Sequence, residues 1–318
     1  MRGRGPVSFA LAAMSHAPTL GRVDPGGTIH EEILEAIEGV KEFVAEFDPE
    51  IVVSFGPDHF NGVLYEMMPS FCIGAQAEGI GDWGTREGPL PVDSETARRL
   101  HAGVLAQGID VPRSERLKVD HGMLQTMEFI FGEEFTKPFV PIFVNCVGLP
   151  LGPMGRIRLF GEAVGRTAEQ LGERVLFLAS GGLSHDPPIA VFDTAPEPVR
   201  QRLTSAVVTS EQRAEREAMI MRAAHAHARG EGDCKPVNEA FDREILRVLG
   251  SNDLAQADEW RNDWITREGG SGAQEVRTWL AAFSALSALG EYKTVDEGYW
   301  SSVPWGAGFG VVTARSLA

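Results

Sequence analysis

Four short apolar segments dominate the hydrophobic pattern of the chain: 7–14, 51–55, 139–147 and 175–179. None of them alternates apolar with polar residues, so each is typical of a strand that is buried on both faces of a largely parallel sheet. Segments with helical periodicity lie around them, at 29–47, 94–107, 122–131 and 154–171. This alternation predicts an α/β fold with a largely parallel or mixed central sheet covered by helices.

The segment from about residue 186 to residue 232 differs in composition from the rest of the chain. It is rich in proline at first and then in Glu, Arg, Ala and Met. This pattern predicts a surface loop followed by a helix, which is either a lid over a site or an ordinary solvated insertion. No internal repeat or low-complexity linker marks a boundary. Residues 1–318 are therefore expected to form a single domain that carries this insertion.

The charge and the cysteines of the chain narrow the classes of partner. The sequence has 29 Lys and Arg residues against 45 Asp and Glu residues, a formal net charge of -16. A surface this acidic repels a phosphate backbone, so we expect no nucleic-acid partner. No apolar run approaches the roughly 18 residues of a membrane span. The three cysteines form no Cys-x-x-Cys pair, which argues against a disulfide framework or a thiolate zinc site. A cytoplasmic protein is expected.

Four of the eight histidines stand in short polar loops. They are His16, His59, His121 and His185. Three of these loops follow predicted strands, and loops beyond the carboxyl ends of strands in open α/β sheets converge on one crevice. A single histidine after a strand is usually a hydrogen-bonding loop residue, but four together indicate a metal or acid/base site. The remaining four are predicted to be structural or solvated: His30, His101, His225 and His227.

A carboxylate normally joins histidines in a divalent-metal site. Glu275 is the first candidate because it follows a glycine-rich segment in which Ser271 and Gln274 fit a capping box, so that a helix is predicted to begin here. The helix dipole favours an ionised carboxylate in the first turn. Glu275 could equally be a surface acid that complements this dipole, and Glu268 is the competing ligand candidate.

Five motifs connect these residues. They are Ser-His-Ala-Pro (15–18), Pro-Asp-His-Phe-Asn-Gly (57–62), Val-Asp-His-Gly (119–122), Ser-Gly-Gly-Leu-Ser-His (180–185) and Gly-Ser-Gly-x-x-Glu (270–275). In this order and at these intervals the chain resembles the class III extradiol dioxygenases, the family of the protocatechuate 4,5-dioxygenase catalytic subunit. The resemblance extends from residue 14 to residue 310. Each motif is short, and the specificity lies in their combination.

The resemblance implies a single catalytic domain that binds Fe(II) through His16, His59 and Glu275. Triplet O2 does not react directly with an aromatic ring at a useful rate. An iron ion with three protein ligands on one face has open positions for both catechol oxygens and for O2. Both atoms of O2 would then enter the substrate, and the product would be a ring-opened semialdehyde or keto acid.

The resemblance also implies two acid/base residues. His185 would take a proton from the bound catechol, and His121 would deliver one when the O–O bond breaks. Asp120 precedes His121 and is expected to orient it. Asp186 stands where glutamine is expected from the family. Its negative charge beside His185 is expected to raise the pKa of that histidine.

The implied substrate is a 3-substituted catechol such as 2,3-dihydroxyphenylpropionate. Because this substituent carries a carboxylate, one Arg or Lys is expected to line the pocket. A homo-oligomer is implied by the resemblance alone. Two alternatives stay open at this point: a metal-dependent hydrolase, in which the same ligands activate water, and a non-enzymatic member of the superfamily. Both acid/base histidines are retained in this sequence, which argues against the second alternative.

Overall fold

The computed structural model describes residues 8–205, 209–231 and 234–317. Val7, residues 206–208 and Gly232, which belong to the predicted segments, lie outside these ranges. Its strands are β1 (Ser8–Met14), β2 (Ile51–Gly56), β3 (Phe71–Gly74), β4 (Ala77–Ile80), β5 (Glu87–Pro89), β6 (Arg113–Ser114), β7 (Leu117–Val119), β8 (Phe139–Val144), β9 (Arg174–Ser180), β10 (Tyr292–Ser302) and β11 (Ala307–Ser316). Its helices are α1 (Ile29–Phe47), α2 (Ser94–Ala106), α3 (His121–Phe131), α4 (Met154–Glu169), α5 (Glu197–Thr204), α6 (Ser210–Ala228), α7 (Glu239–Leu249), α8 (Asn262–Gly269) and α9 (Val276–Ser287). Short 3₁₀ turns lie at Asp82–Gly84, Phe192–Thr194, Leu254–Glu259 and Gly272–Glu275.

The four predicted apolar segments form the centre of one sheet. β1, β9, β2 and β8 lie side by side in parallel. Antiparallel β11 and β10 extend the sheet beyond β1, and β3 and β6 extend it beyond β8, in the order β10-β11-β1-β9-β2-β8-β3-β6. β5, β4 and β7 form a separate small sheet. The prediction of an α/β fold with a mixed central sheet covered by helices is confirmed.

Each central strand is buried on both faces, as the continuous apolar runs predicted. Along β1, Phe9, Leu11 and Ala13 join the hydrophobic core that α2, α4 and α9 cover. Ala10, Ala12 and Met14 point to the opposite face and pack with α1 and α3. This alternation is the two-residue period of a strand. It fixes the carboxyl ends of the parallel strands between two layers of helices, at the edge where the site lies.

The hydrophobic pattern does not predict β10, the first strand of the C-terminal hairpin. β10 contains Lys293, Asp296 and Glu297, and most of its residues are exposed or half-buried, so its hydrophobic pattern is weak. Its pairing with β11 keeps it in the sheet.

No helix in the described ranges is long and apolar enough to cross a membrane.

Two glycines of α4 set the position of α9. A Cβ atom on Gly161 would lie 2.2 Å from the carbonyl oxygen of Ala281, and one on Gly165 would lie 2.0 Å from that of Ala285. Both distances are shorter than any real contact of a Cβ atom, so the two helices approach closely only because these positions carry no side chain. This packing fixes the middle and the end of α9, the helix that begins directly after Glu275.

Candidate active site

The carboxyl ends of β1, β2 and β9 meet at one edge of the sheet, and a predicted histidine follows each of them. His16 stands two residues after β1, His59 three after β2 and His185 five after β9, whereas His121 is the first residue of α3. The ring centroid of His59 lies 5.2 Å from that of His16 and 4.4 Å from that of His121. The crevice predicted from the strand order therefore exists and contains these side chains.

Glu275 occupies the centre of this cluster. Its Oε1 lies 3.1 Å from Nε2 of His59 and 3.7 Å from Nε2 of His185, and its Oε2 lies 3.5 Å from Nε2 of His16. The backbone N–H of Gly182 donates to Oε2 at 2.6 Å. Burial raises the pKa of Glu275, but His16, His185 and His59 more than offset it and hold this pKa well below its usual range. The carboxylate is therefore an anion enclosed by imidazoles.

The backbone conformation of the residues before Glu275 differs from the predicted one. Ser271 has helical dihedral angles instead of the extended ones of an N-cap, and its side chain caps nothing, so the predicted capping box is wrong. Its hydroxyl donates to Asp186 at 2.9 Å. A 3₁₀ turn, Gly272–Glu275, leads into α9 and places Glu275 immediately before that helix. The competing candidate Glu268 forms a 2.8 Å ion pair with a neighbouring arginine on α8.

The donor set of His16, His59 and Glu275 fits a divalent metal. Two imidazoles and one carboxylate are the facial triad that non-haem iron uses. Burial lowers the pKa of His16 to about 3, so its ring is neutral, as metal ligation requires. A buried anion also needs a nearby positive charge, which a cation would supply. Ligand atoms of His16, His59 and His121 lie within 4.8 Å of one another, which makes His121 the alternative third ligand.

Asp120 orients His59 and not His121, so the predicted pairing is wrong. Oδ2 of Asp120 lies 3.0 Å from Nδ1 of His59 and 4.0 Å from Nδ1 of His121. Asp120 precedes α3 and accepts a hydrogen bond from the N–H of Gly122 at 2.9 Å. This capping contact directs its carboxylate towards the loop of His59. An outer carboxylate of this kind fixes the tautomer and the direction of a metal-binding imidazole.

Asp82 is the partner of His121 that the sequence did not reveal. Nδ1 of His121 donates to Oδ2 of Asp82 at 2.5 Å, and the backbone N–H of His121 donates to Oδ1 at 2.8 Å. Asp82 stands in the Gly-Asp-Trp-Gly turn at 81–84, and its side chain is 3% exposed. Its turn residues predict a loop, but no local pattern connects that loop to α3.

The two aspartates provide a matched pair of variants. We expect Asp120→Asn to lower metal affinity about 10–100-fold, because an amide no longer fixes His59 as a carboxylate does. Asp82→Asn should leave metal affinity within about twofold of the wild-type value, since His121 is the one imidazole of this cluster that Asp82 contacts. Titration of the metal-free variants against a competing chelator measures both values. A larger loss in Asp82→Asn would indicate that His121, not Glu275, is the third ligand.

The charge of Asp186 is directed away from His185. Its Oδ1 accepts hydrogen bonds from the backbone N–H and the hydroxyl of Ser271, at 2.8 and 2.9 Å. Burial lowers the pKa of His185, but the hydrogen bond and the charge of Glu275 raise it above its ordinary value. The predicted direction of the shift is therefore right and its predicted cause is wrong. Asp186 instead ties the loop after β9 to the turn before α9.

A cavity of about 160 Å³ opens above the cluster, and its walls are mainly apolar. His16, His59, His121 and His185 form its polar part. Helix α6 covers one side of the cavity, so the helical part of the insertion lies over the site and is not simply solvated. His227 of α6 lines the cavity, contrary to its prediction as a structural or solvated residue. No Arg or Lys lines the cavity within the described ranges, so that expectation is wrong.

The other three histidines predicted to be structural or solvated lie outside the cavity lining. Nε2 of His101 contacts the carbonyl oxygen of Val111 at 3.0 Å, which is a structural role. His225 is exposed on α6, and His30 is half-buried in the first turn of α1. For these three residues the prediction agrees with the structure.

Comparison with known proteins gives one consistent family. The model of the catalytic LigB subunit of aromatic ring-opening dioxygenase matches residues 10–310. A Rhodococcus sp protein named 2,3-dihydroxyphenylpropionate/2,3-dihydroxicinnamic acid 1,2-dioxygenase is 48% identical over 312 residues, covering 98% of this chain and 99% of that protein. Proteins of the same name from Rhodococcus jostii (strain RHA1) and Mycolicibacterium gilvum (strain PYR-GCK) are each 46% identical, covering 98% and 96% of this chain and 99% and 98% of theirs.

Proposed function

This chain belongs to the family of the catalytic LigB subunit of aromatic ring-opening dioxygenases, and on that basis we propose that it uses Fe(II) and O2 to cleave a 3-substituted catechol beside its two hydroxyl groups. The proposed substrates are 2,3-dihydroxyphenylpropionate and related acids, because full-length relatives carry that name. The observation that carries the proposal is the buried Glu275 carboxylate between His16 and His59. Membership of this family argues against the hydrolase and the non-enzymatic alternatives.

His16, His59 and Glu275 would hold the iron. When bound, Fe(II) supplies the electronic link between catechol and O2 that their direct reaction lacks. The protein contributes two neutral imidazoles and one carboxylate, so the loaded site has a net charge of +1 and favours an anionic catechol. Asp120 supports this arrangement because its bond to Nδ1 of His59 leaves Nε2 of that ring directed at Glu275. The apolar walls of the cavity limit the access of water to the reacting ring.

His185 is the proposed base. Its Nδ1 lies 2.9 Å from the carbonyl oxygen of Leu183, which can only accept, so the proton of the neutral ring is on Nδ1. Nε2 is then free to take a proton from a catechol hydroxyl in the cavity. The nearby Oε1 of Glu275, at 3.7 Å, favours the protonated ring that results. This tautomer is the one that a base at this position requires.

His121 is the proposed acid. Its Nδ1–H donates to Asp82, and this bond persists when the ring carries a second proton on Nε2. The carboxylate of Asp82 compensates the positive charge of that imidazolium, as the orienting carboxylate does in other acid/base pairs. Nε2 would deliver its proton to the oxygen that leaves when the O–O bond breaks. The two histidines thus act at opposite ends of the reaction.

The substrate part of the proposal predicts a clear preference. After anaerobic reconstitution with Fe(II), 2,3-dihydroxyphenylpropionate should exceed catechol and protocatechuate in kcat/KM by roughly tenfold to hundredfold, the usual contribution of one charge-assisted hydrogen bond. The coloured ring-opened product and the consumption of O2 can be followed together. If protocatechuate were the best substrate, the chain would act on a different class of catechol from that named in its relatives.

Two further parts of the proposal are a homo-oligomeric assembly, which rests on the resemblance, and a cytoplasmic location, which rests on the sequence. Light scattering of the purified protein measures the first, and a mass equal to one chain of 34.5 kDa would contradict it. Fractionation of the producing cells measures the second. Neither property enters the chemistry proposed for the site.

A further inference from the structure

One face of α6 forms a wall of the cavity. Ile220, Ala223, Ala224 and His227 are spaced at i, i+3, i+4 and i+7, which is one face of a helix, and all four line the cavity. The first three are apolar. His227 is therefore the polar group at the end of an apolar wall.

The surroundings of His227 leave its ring available to a ligand. A Cβ atom on Gly306 would lie 2.6 Å from Nε2 of His227, so the ring fits there because this position is a glycine, which has φ +61. Its ring has no hydrogen bond or ion pair with any residue that the structure describes. His225, two positions earlier on the same helix, is exposed to solvent.

Two polar contacts fix α6 relative to the catalytic histidines. Glu217 accepts a hydrogen bond from the backbone N–H of Trp83 at 2.8 Å, and Arg216 donates to Asn61 at 3.4 Å. Ile220 follows these anchors on α6 and lines both the cavity and the smaller space beside His121. The seven residue steps from Ile220 to His227 correspond to about 10 Å along the helix axis. A benzene ring with a three-carbon acid substituent can bridge a span of this kind.

We propose that the imidazole N–H of His227 binds the carboxylate of the substrate side chain, an inference that rests on the proposed ring cleavage. The catechol hydroxyls must lie at the cluster around Glu275, so the substituent extends along the remaining walls. Among the described residues lining the cavity, Lys and Arg are absent, and His227 offers a free nitrogen donor on the α6 wall. A charged acceptor strengthens such a hydrogen bond.

The three arginines of α6 do not take this role, and one of them, Arg222, is exposed and lies outside the cavity lining. Arg213 and Arg216 line a space of about 20 Å³ that adjoins the cavity at Trp83, His121 and Ile220 and is too small for a propionate side chain. Asp82 and Glu217 line the same space and would repel a further carboxylate. Burial lowers the pKa of Arg216 although the charges of Asp120 and Asp58 oppose this shift, and its guanidinium donates a hydrogen bond to Asn61.

The test compares His227→Ala with the matched control His225→Ala in the full chain loaded with Fe(II). The substrates are 2,3-dihydroxyphenylpropionate and 3-propylcatechol, which lacks the carboxylate. We expect His227→Ala to raise KM for the acid about tenfold, with kcat within twofold and with 3-propylcatechol unchanged. His225→Ala should change neither substrate. His227→Asn, which keeps an N–H donor, should recover part of the loss.

A binding measurement accompanies the kinetics. Anaerobic titration of both catechols, followed by the fluorescence of the cavity residues Trp83 and Trp305, should show the same tenfold loss for the acid alone. Equal losses for both catechols, or none for the acid, would overturn the role of His227. A wild-type protein that prefers the acid while His227→Ala keeps that preference refutes this inference only. A wild-type protein with no preference for the acid refutes the proposed substrate class as well.

Discussion

His16→Ala, His59→Ala and Glu275→Ala should each lose stoichiometric metal binding, and their ring-cleaving activity should fall to that of the metal-free protein. The reason is that each variant removes one of three donors, and two donors hold a divalent metal weakly. His16 and His59 stand in loops after strands, and Glu275 ends a 3₁₀ turn, so the sheet and its helices should persist. Elemental analysis after Fe(II) loading measures the metal, and circular dichroism checks the fold.

His121→Gln is the control for this series. It removes the alternative third ligand while leaving the Glu275 contacts with His16 and His59 in place. This variant should keep one metal ion per chain and lose activity because the proposed acid is missing. If Glu275→Ala retained stoichiometric metal and His121→Gln did not, the ligand set would be the three histidines His16, His59 and His121.

The second large effect is the loss of turnover in variants of His185 and His121, which should stop the reaction at different steps. His185→Gln and His121→Gln should each lower turnover about 10²–10⁴-fold, the usual contribution of a positioned acid or base. A base acts when the catechol binds, so His185→Gln should weaken anaerobic catechol binding. A substrate with a more acidic hydroxyl should partly restore that binding, because less help from the base is then needed.

His121→Gln should bind the catechol normally and stop after O2 is admitted, since its proton is needed late. Asp82→Asn should resemble it with a smaller loss, because Asp82 acts on the reaction only through His121. Anaerobic titration followed by rapid mixing with O2 locates the step at which each variant stops. If the His185 and His121 variants both bound catechol normally and stopped at the same step, the separate assignments would be withdrawn.

The central part of the fold was predictable because burial on both faces leaves a strong signal. A strand such as β2 has no polar alternation, and its apolar run ends where the strand ends. β10 was not predictable in this way. Its side chains are largely exposed, and it belongs to the sheet through backbone pairing with β11, which leaves little trace in the order of apolar residues.

The motif order pointed to residues that the structure brings together, but it did not give their pairing. Adjacency in sequence suggested that Asp120 serves His121, whereas the first turn of α3 directs the two side chains to different partners. Asp82 and His227 come from elements that only the tertiary fold brings to the site, Asp82 beside His121 and His227 into the cavity wall. Residues two apart on a helix point to different faces, so His225 is exposed while His227 lines the cavity, and the sequence alone does not show which face is covered.

The most direct test of ring opening with insertion of O2 is isotopic. The protein reconstituted with Fe(II) is given 2,3-dihydroxyphenylpropionate under ¹⁸O2, and the mass and the cleavage position of the product are determined by mass spectrometry and NMR. We predict a product opened beside the two hydroxyl groups that contains both labelled oxygen atoms, allowing for exchange of the aldehyde or ketone oxygen with water. A product without label, cleavage between the two hydroxyl-bearing carbons, or a reaction that proceeds without O2 would contradict extradiol dioxygenation.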